Sequence, residues 1–326
     1  MRIIKRLTIA TTYKCYSRCK HCHTWSRKSP RELSLDQYRE LLSAGSFDSL
    51  GTISLTGGEP LLYSDIENLI RLIASAKPGI RLDINTNGLT FDKLNQVLSL
   101  EEIHSLGVFQ INISMDGTKA THDYIRGVEG NYDRIIEWLT FFRPRIDNNV
   151  QVTLSFTASP QNYRDIPGIV QLAANFNTGL SLRMQQRSFF YDNVCEKLTW
   201  NEDSLRECND LVRFVADHLV RKYGRLDSPH ATFTKQAVWR YLNTARDYDC
   251  FAGRNSLYID PSGNLYPCIM LDRKMGSIVD DSVEEILESD KSNRVVEYIK
   301  KRTCSCWTEC ETLYSISSQK DLFTQG

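Results

Sequence analysis

Cys15-Tyr16-Ser17-Arg18-Cys19-Lys20-His21-Cys22 sets three cysteines in a Cys-x-x-x-Cys-x-x-Cys spacing close to the N-terminus. A thiolate trio this tight can hold three irons of a four-iron cluster and leave the fourth iron without a protein ligand. Catalytic metal sites keep such an open position and structural sites close it. The same spacing admits a zinc knuckle completed by His21 or His23, or simply reduced thiols. The trio follows Leu7-Thr8-Ile9-Ala10-Thr11-Thr12, an apolar run predicted as a strand. Further on, Thr52-Ile53-Ser54-Leu55 reads as a second, buried strand that runs into Thr56-Gly57-Gly58-Glu59-Pro60.

Cys-x-x-x-Cys-x-x-Cys after a first strand and Gly-Gly-Glu-Pro after a second together resemble the radical S-adenosylmethionine (radical SAM) superfamily. The resemblance implies a partial (β/α)6 barrel, a [4Fe-4S] cluster on Cys15, Cys19 and Cys22, and S-adenosylmethionine bound through its amine and carboxylate at the open iron. It also implies an external electron donor such as flavodoxin or ferredoxin. The implied reaction is reductive cleavage of the cofactor to a 5′-deoxyadenosyl radical that abstracts a substrate hydrogen. The cofactor carries the hard chemistry; the protein supplies orientation and excludes water.

Composition bounds the alternatives. At 326 residues the chain can bury a large domain plus a smaller one. Lysine plus arginine equals aspartate plus glutamate, 40 of each, so nothing argues for the basic excess of a nucleic-acid binder. No apolar run is long enough to span a membrane, and Met1-Arg2-Ile3-Ile4-Lys5-Arg6 lacks the apolar core and cleavage site of a secretory signal. The expectation is a cytoplasmic protein. Of its ten cysteines, three cluster at the start and five follow position 249, a distribution that points to metal rather than disulfides.

Strands are predicted again at 81–86, 110–114, 151–157 and 180–184, with amphipathic helices at 35–42, 65–76, 132–142 and 166–176. Ser34 is the expected N-cap of the first helix. Strands alternating with helices imply βαβ units and a parallel sheet. Six such units before residue 186 suit a curved, partly closed barrel better than an eight-fold one. The expected division is residues 1–186 as barrel, 187–249 as helical connector and 250–326 as a small domain of β-hairpin plus helix. The connector carries an amphipathic helix over 200–221 and a short one over 236–243. The hairpin is read from Leu257–Ile259 and Leu265–Cys268 around the Pro/Gly/Asn-rich turn 260–264.

In this architecture chemistry gathers at the C-terminal ends of strands, and every motif falls there. Gly57 and Gly58 let backbone approach a ligand closely, and Glu59 is placed to accept from the methionine ammonium. Asn85 and Asn87 end the third strand. Ser114 and Asp116 end the fourth, where the resemblance implies contact with the ribose or methionine carboxylate. Arg126 is the candidate cation for that carboxylate. The residue before the third cysteine, often Phe or Tyr in the family and stacked on adenine, is His21 here; an imidazole stacks as well.

Cys250 and Cys268 flank the hairpin, and Cys304, Cys306 and Cys310 follow near the end. This set resembles the Twitch/SPASM auxiliary-cluster domain, implying a second [4Fe-4S] cluster. Four cysteines also make tetrahedral zinc. Five thiols compete for four places, with Cys306 and Cys310 the expected partners of Cys250 and Cys268 and Cys304 spare or substituting. The chain stops soon after Cys310, which suits the shorter Twitch form. Cys195 and Cys208 belong to neither set. Cys208 reads as a small core hydrophobe, and Cys195, on a loop after the sixth strand, is the candidate hydrogen-atom donor to a substrate radical.

Three functions compete. One is an enzyme acting on a small polar biosynthetic intermediate, aminosugar or nucleoside-like, by dehydrogenation, bond formation or epimerisation. Another is a peptide maturase, disfavoured by the few residues before Cys15, where such enzymes often carry a leader-binding domain. The third is a non-catalytic iron–sulfur or zinc protein. Arg183, Arg187 and Tyr191 are the residues expected to face a polar substrate.

Overall fold

The computed structural model describes residues 2–28, 31–142, 149–195, 199–223, 233–238, 246, 248–302, 304 and 306–317, without the side chains of residues 220, 222, 223, 309, 310, 316 and 317. Six strands run parallel: β1 (Arg6–Thr12), β2 (Thr52–Gly57), β3 (Arg81–Thr86), β4 (Val108–Ser114), β5 (Val150–Ala158) and β6 (Gly179–Met184). Each is followed or covered by a helix: α1 (Leu35–Ser43), α2 (Ile66–Ala76), α3 (Phe91–Leu98), α4 (Lys119–Arg126), α5 (Asn131–Phe142), α6 (Ile166–Asn175) and α7 (Glu202–Tyr223). The sheet order β6-β5-β4-β3-β2-β1 continues into β7 (Ser256–Ile259), β8 (Asn264–Tyr266) and β9 (Gly276–Ser277). It has two ends, β6 and β9, so the barrel is unclosed, as expected of a partial (β/α)6 form.

Local chemistry explains the helices. Ser34 does cap α1: its Oγ accepts from Gln37 N at 3.3 Å while the Gln37 side chain accepts from Ser34 N at 3.0 Å, the reciprocal pairing of a capping box. Along α2, Ile66, Leu69, Ile70, Ile73 and Ala74 are all buried, a helical stripe against the sheet in which each Ile or Leu side chain contributes about 1.5–3 kcal/mol. The region 119–126 gives no apolar period, yet it forms α4, because its buried face is His122, Ile125 and Arg126. Two of those three are polar and serve the site.

The hairpin falls where the sequence places it, but its position comes from long-range pairing. β7 pairs in parallel with β1, Arg6 opposite Ser256 through Ile9 opposite Ile259, and β8 returns antiparallel. The C-terminal hairpin is thus welded to the barrel's first strand. Two helices, Val283–Glu288 and Asp290–Lys300, follow it. The expected short helix at 236–243 lies largely outside the described residues.

Candidate active site

Beyond β1 the chain turns at Thr12, whose Oγ1 accepts from Lys14 N at 3.0 Å and donates to Glu32 Oε1 at 2.6 Å. The cysteine loop then docks on the end of α4: Arg18 N donates to Arg126 O at 2.9 Å and Lys20 N to Ile125 O at 2.8 Å. Gly127 closes α4 in the left-handed region (φ 65°), and a Cβ there would stand 2.6 Å from Arg18 O. The glycines after β2 do similar work. Gly58 N donates to Thr12 O at 2.7 Å and Glu59 N to Lys14 O at 2.8 Å. Gly57 (φ 130°) and Gly58 lie so close to residues 12–14 that a Cβ would meet Thr12 O at 2.2 Å or Lys14 O at 2.3 Å. Their smallness therefore lets two chain segments touch; the sequence reading assigned it to a ligand alone.

These segments wall a cavity of about 540 Å³. Cys15, Cys19, His21, Cys22, Gly57, Gly58, Asn85, Asn87, Ser114 and Arg126 all line it, so the structure gathers ten of the expected first-site residues on one surface. Glu59 and Asp116 are placed behind the wall, 1% and 0% exposed. Glu59 accepts from Asn87 N at 2.7 Å and Leu61 N at 3.3 Å; burial nonetheless pushes its carboxyl up to about 7. Asp116 Oδ2 sits 2.6 Å from Arg126 Nη2, and Oδ1 accepts from Thr157 N at 2.9 Å. Burial opposes its charge, but Arg126 wins and holds the carboxyl below its usual range. Asp116 is in place to orient Arg126, and Glu59 to orient Asn87, rather than to face the cavity.

Both oriented residues reach the cysteines. Asn87 Nδ2 lies 3.5 Å from Cys15 Sγ, and Arg126 Nη1 lies 3.7 Å from Cys19 Sγ. Thr24 Oγ1 is 3.1 Å from Cys22 Sγ. Burial raises the thiols, to about 12 for Cys15 and about 11 for Cys19; ligation by a metal takes the thiolate and reverses that preference. His21 Nε2 is 3.8 Å from Asp116 Oδ2, and burial holds its imidazole down near 4, thus neutral.

Sequence reasoning missed the layer that joins these parts. His122 Nδ1 accepts from Asp116 N at 3.1 Å. Its Nε2 stands 2.9 Å from Asn131 Nδ2, and Asn131 Nδ2 donates to Asn87 O at 3.2 Å. Asn87, Asn131, His122, Asp116 and Arg126 thus form one run of contacting polar side chains between the sulfurs of Cys15 and Cys19. The motif spacing carries no sign of His122 or Asn131; buried polar residues, one on α4 and one at the start of α5, are the available signal.

Deeper in the cavity, the lining alternates polar residues along each strand: Arg6 and Thr8, Thr52 and Ser54, Arg81 and Asp83, Ser155 and Thr157. Arg183 and Tyr191, expected to face a substrate, line it too, whereas Arg187 is exposed and does not. Cys195 is exposed and also outside the lining. Cys208 is 0% exposed, in the core, its thiol pushed up to about 12 by burial. Iodoacetamide at about pH 8 is therefore expected to label Cys195 at least about tenfold faster than Cys208, read by peptide mass spectrometry. Equal rates would contradict both placements.

At the other end of the chain, Cys250 and Cys268 are buried beside the hairpin, 4% and 6% exposed. Burial first, then neighbouring Glu311 and Cys306, raise both thiols, so these three sulfurs share one locality. Cys304 is half-buried, and the side chain of Cys310 lies outside the described residues. Trp307, 2% exposed, fixes the segment by donating Nε1–H to Phe233 O at 2.8 Å and stacking on the Phe233 ring at 5.4 Å.

The donor set fits iron–sulfur chemistry: three cysteines on one cavity wall, two of them facing an amide or a guanidinium that stabilises sulfur charge. The family model described as the Radical SAM superfamily matches residues 9–173, half of the chain. The chain belongs to the radical SAM superfamily. A second model, an iron–sulfur cluster-binding domain named SPASM, matches residues 250–311. Membership implies S-adenosylmethionine and a [4Fe-4S] cluster in the barrel, and the C-terminal match implies auxiliary iron–sulfur binding.

This radical SAM chain is 31% identical to Fe-coproporphyrin III synthase of Methanosarcina barkeri (strain Fusaro / DSM 804), over 49% of its own length and 39% of that protein. It is 32% identical to a probable GTP 3′,8-cyclase of Archaeoglobus fulgidus (strain ATCC 49558 / DSM 4304 / JCM 9628 / NBRC 100126 / VC-16), over 92% of its length and 96% of that protein. It spans only about two fifths of the first two curated relatives it matches, 39% and 38%. Among solved structures, Streptococcus suis SuiB bound to S-adenosylmethionine superposes with TM-score 0.68 at 16% identity, covering 91% of this chain and 68% of SuiB. SuiB has also been solved bound to its precursor peptide SuiA. No helix among the described residues is long and apolar enough to cross a membrane.

Proposed function

We propose that this radical SAM protein cleaves S-adenosylmethionine reductively and uses the 5′-deoxyadenosyl radical to abstract hydrogen from a small polar biosynthetic intermediate, aminosugar or nucleoside-like. The outcome is dehydrogenation, bond formation or epimerisation. Cys15, Cys19 and Cys22 are assigned as ligands of the first cluster. Cys250, Cys268 and Cys306 are assigned to the auxiliary cluster, with Cys310 or Cys304 as the fourth. Asn87 and Arg126 hold charge on Cys15 and Cys19; Asp116, Glu59, His122 and Asn131 keep those two side chains oriented. His21, Ser114, Asn85 and the Gly57-Gly58 backbone are assigned to the nucleoside and methionine ends of the cofactor. The electron comes from a flavodoxin or ferredoxin.

The observation that carries the substrate class is the interior of the barrel. A cavity lined by arginines, hydroxyls and amides at successive levels of five strands suits a polar ligand, which can replace the water such groups lose, rather than an apolar one. The test is stimulation of 5′-deoxyadenosine release above its substrate-free rate. Libraries of nucleosides, nucleotides and aminosugars are expected to contain a compound raising it about tenfold or more. Stimulation by a peptide library alone would overturn this substrate class in favour of peptide maturation.

A further inference from the structure

Although the whole protein has no net formal charge, the charged side chains lining its cavity are Arg6, Arg81, Arg126 and Arg183 against one carboxylate, Asp83. Two of the four are matched by carboxylates: Arg126 by Asp116 at 2.6 Å, and Arg81 by Asp83 at 2.8 Å. Arg183 Nε donates to Thr157 Oγ1 at 3.4 Å. Arg6 Nε, like Arg126 Nε, is buried without a hydrogen-bond partner among the described residues, but Arg126 has Asp116 beside it. Arg6 nonetheless lines the cavity, so its charged guanidinium is where the acceptor oxygens of a ligand can meet it.

Register places the surroundings of Arg6. Arg6 pairs opposite Thr52 on β2, and Thr52 opposite Arg81 on β3, so these three cavity residues occupy one level of the sheet. The next inward level is Thr8, Ser54 and Asp83, by the same register. Neighbouring strands lie about 4.8 Å apart, so Arg6 and Arg81 flank Thr52 within reach of one ligand group. Arg6 also acts electrostatically on Glu311, a buried carboxylate that accepts from Ser256 Oγ at 2.5 Å and does not line the cavity. Arg6 begins β1 and the cysteine loop follows its end, so this level is about 13–20 Å below the cysteines along the strand.

We infer that the base of the barrel is an anion subsite, in which Arg6, with Thr52 and Arg81 beside it, binds a phosphate or carboxylate group of the substrate. The inference rests on the proposed small-molecule reading and narrows it. The substrate is anionic at the end remote from the cluster, and its hydrogen-donating carbon lies toward the cysteines. A cleft lined by one sign of charge in low-dielectric walls concentrates such ligands.

The test uses the full, anaerobically reconstituted chain and two probes, pyrophosphate and citrate, titrated at constant ionic strength by calorimetry. At least one is expected to bind more tightly than chloride can compete for, and which one binds separates a phosphate from a carboxylate site. Arg6→Gln is expected to weaken that binding tenfold or more and Arg6→Lys less. Arg71→Gln, on the outer face of α2, should leave it unchanged. Iron content and melting temperature without anion report whether each variant folds. Should Arg6→Gln fail to fold, phenylglyoxal modification of Arg6 in the unaltered protein, followed by mass spectrometry, is expected to slow at least fivefold when the binding anion is present. Binding of neither probe, or binding with no loss in Arg6→Gln and no protection of Arg6, overturns the subsite. Release of 5′-deoxyadenosine by the same preparation is scored separately, so failure of the radical chemistry and failure of the subsite are distinguishable.

Discussion

Asp116→Ala is expected to destabilise the protein by about 3–5 kcal/mol, the cost of removing one partner of a buried ion pair and leaving the other charge uncompensated. The geometry makes this one of the two largest single-residue effects foreseen. Asp116 is 0% and Arg126 7% exposed, and their closest atoms are 2.6 Å apart. The substitution also strips Thr157 N of its acceptor at 2.9 Å. A matched double variant, Asp116→Leu with Arg126→Met, removes both charges and is expected to regain most of the lost stability, because the desolvation penalty goes with the pair. It should still load less iron than the parent, since Cys19 loses its guanidinium neighbour. Urea midpoints by circular dichroism, with iron per chain, check both halves. A single variant as stable as the parent would show that the pair does not organise the site.

Gly57→Ala is the second large effect. At φ 130° the residue lies where side chains are strained, and the added Cβ would stand 2.2 Å from Thr12 O, a backbone atom that cannot swing aside. Strain and overpacking each cost about 1–3 kcal/mol, and the displaced segment leads directly into Cys15. Loss of about 3 kcal/mol or more, with iron incorporation at least halved, is therefore expected. Gly79→Ala provides the control: φ is 77°, but nothing lies within 4 Å of the new Cβ, so only the backbone strain of about 1 kcal/mol should appear. Similar losses for both would mean that close packing against residues 12–14 is not what Gly57 serves.

Much of this was legible because apolar runs and helical stripes are local signals. The parallel strands, the cap at Ser34 and the hairpin all follow from residues within a few positions of one another. What escaped depends on partners far away in sequence. Nothing near Glu59 announces that its carboxylate is taken by Asn87 N, and nothing near Asp116 announces the guanidinium of Arg126 or the amide of Thr157. Because strand ends in such barrels face the site, the sequence points both carboxylates at a ligand. Helix α4 escaped for a related reason: its buried face is polar, so function overrode the apolar period. The attachment of β7 to β1 joins residues at opposite ends of the chain, and the polar ladder around Arg6 has meaning only once register aligns its levels.

The central claim is best tested by reconstituting the protein anaerobically, counting iron and sulfide, reducing it with S-adenosylmethionine present and measuring 5′-deoxyadenosine. The account predicts about eight irons per chain and product. In the Cys15→Ala/Cys19→Ala/Cys22→Ala variant it predicts about four irons and no product. A reduced, fully loaded parent protein that releases no 5′-deoxyadenosine would contradict it.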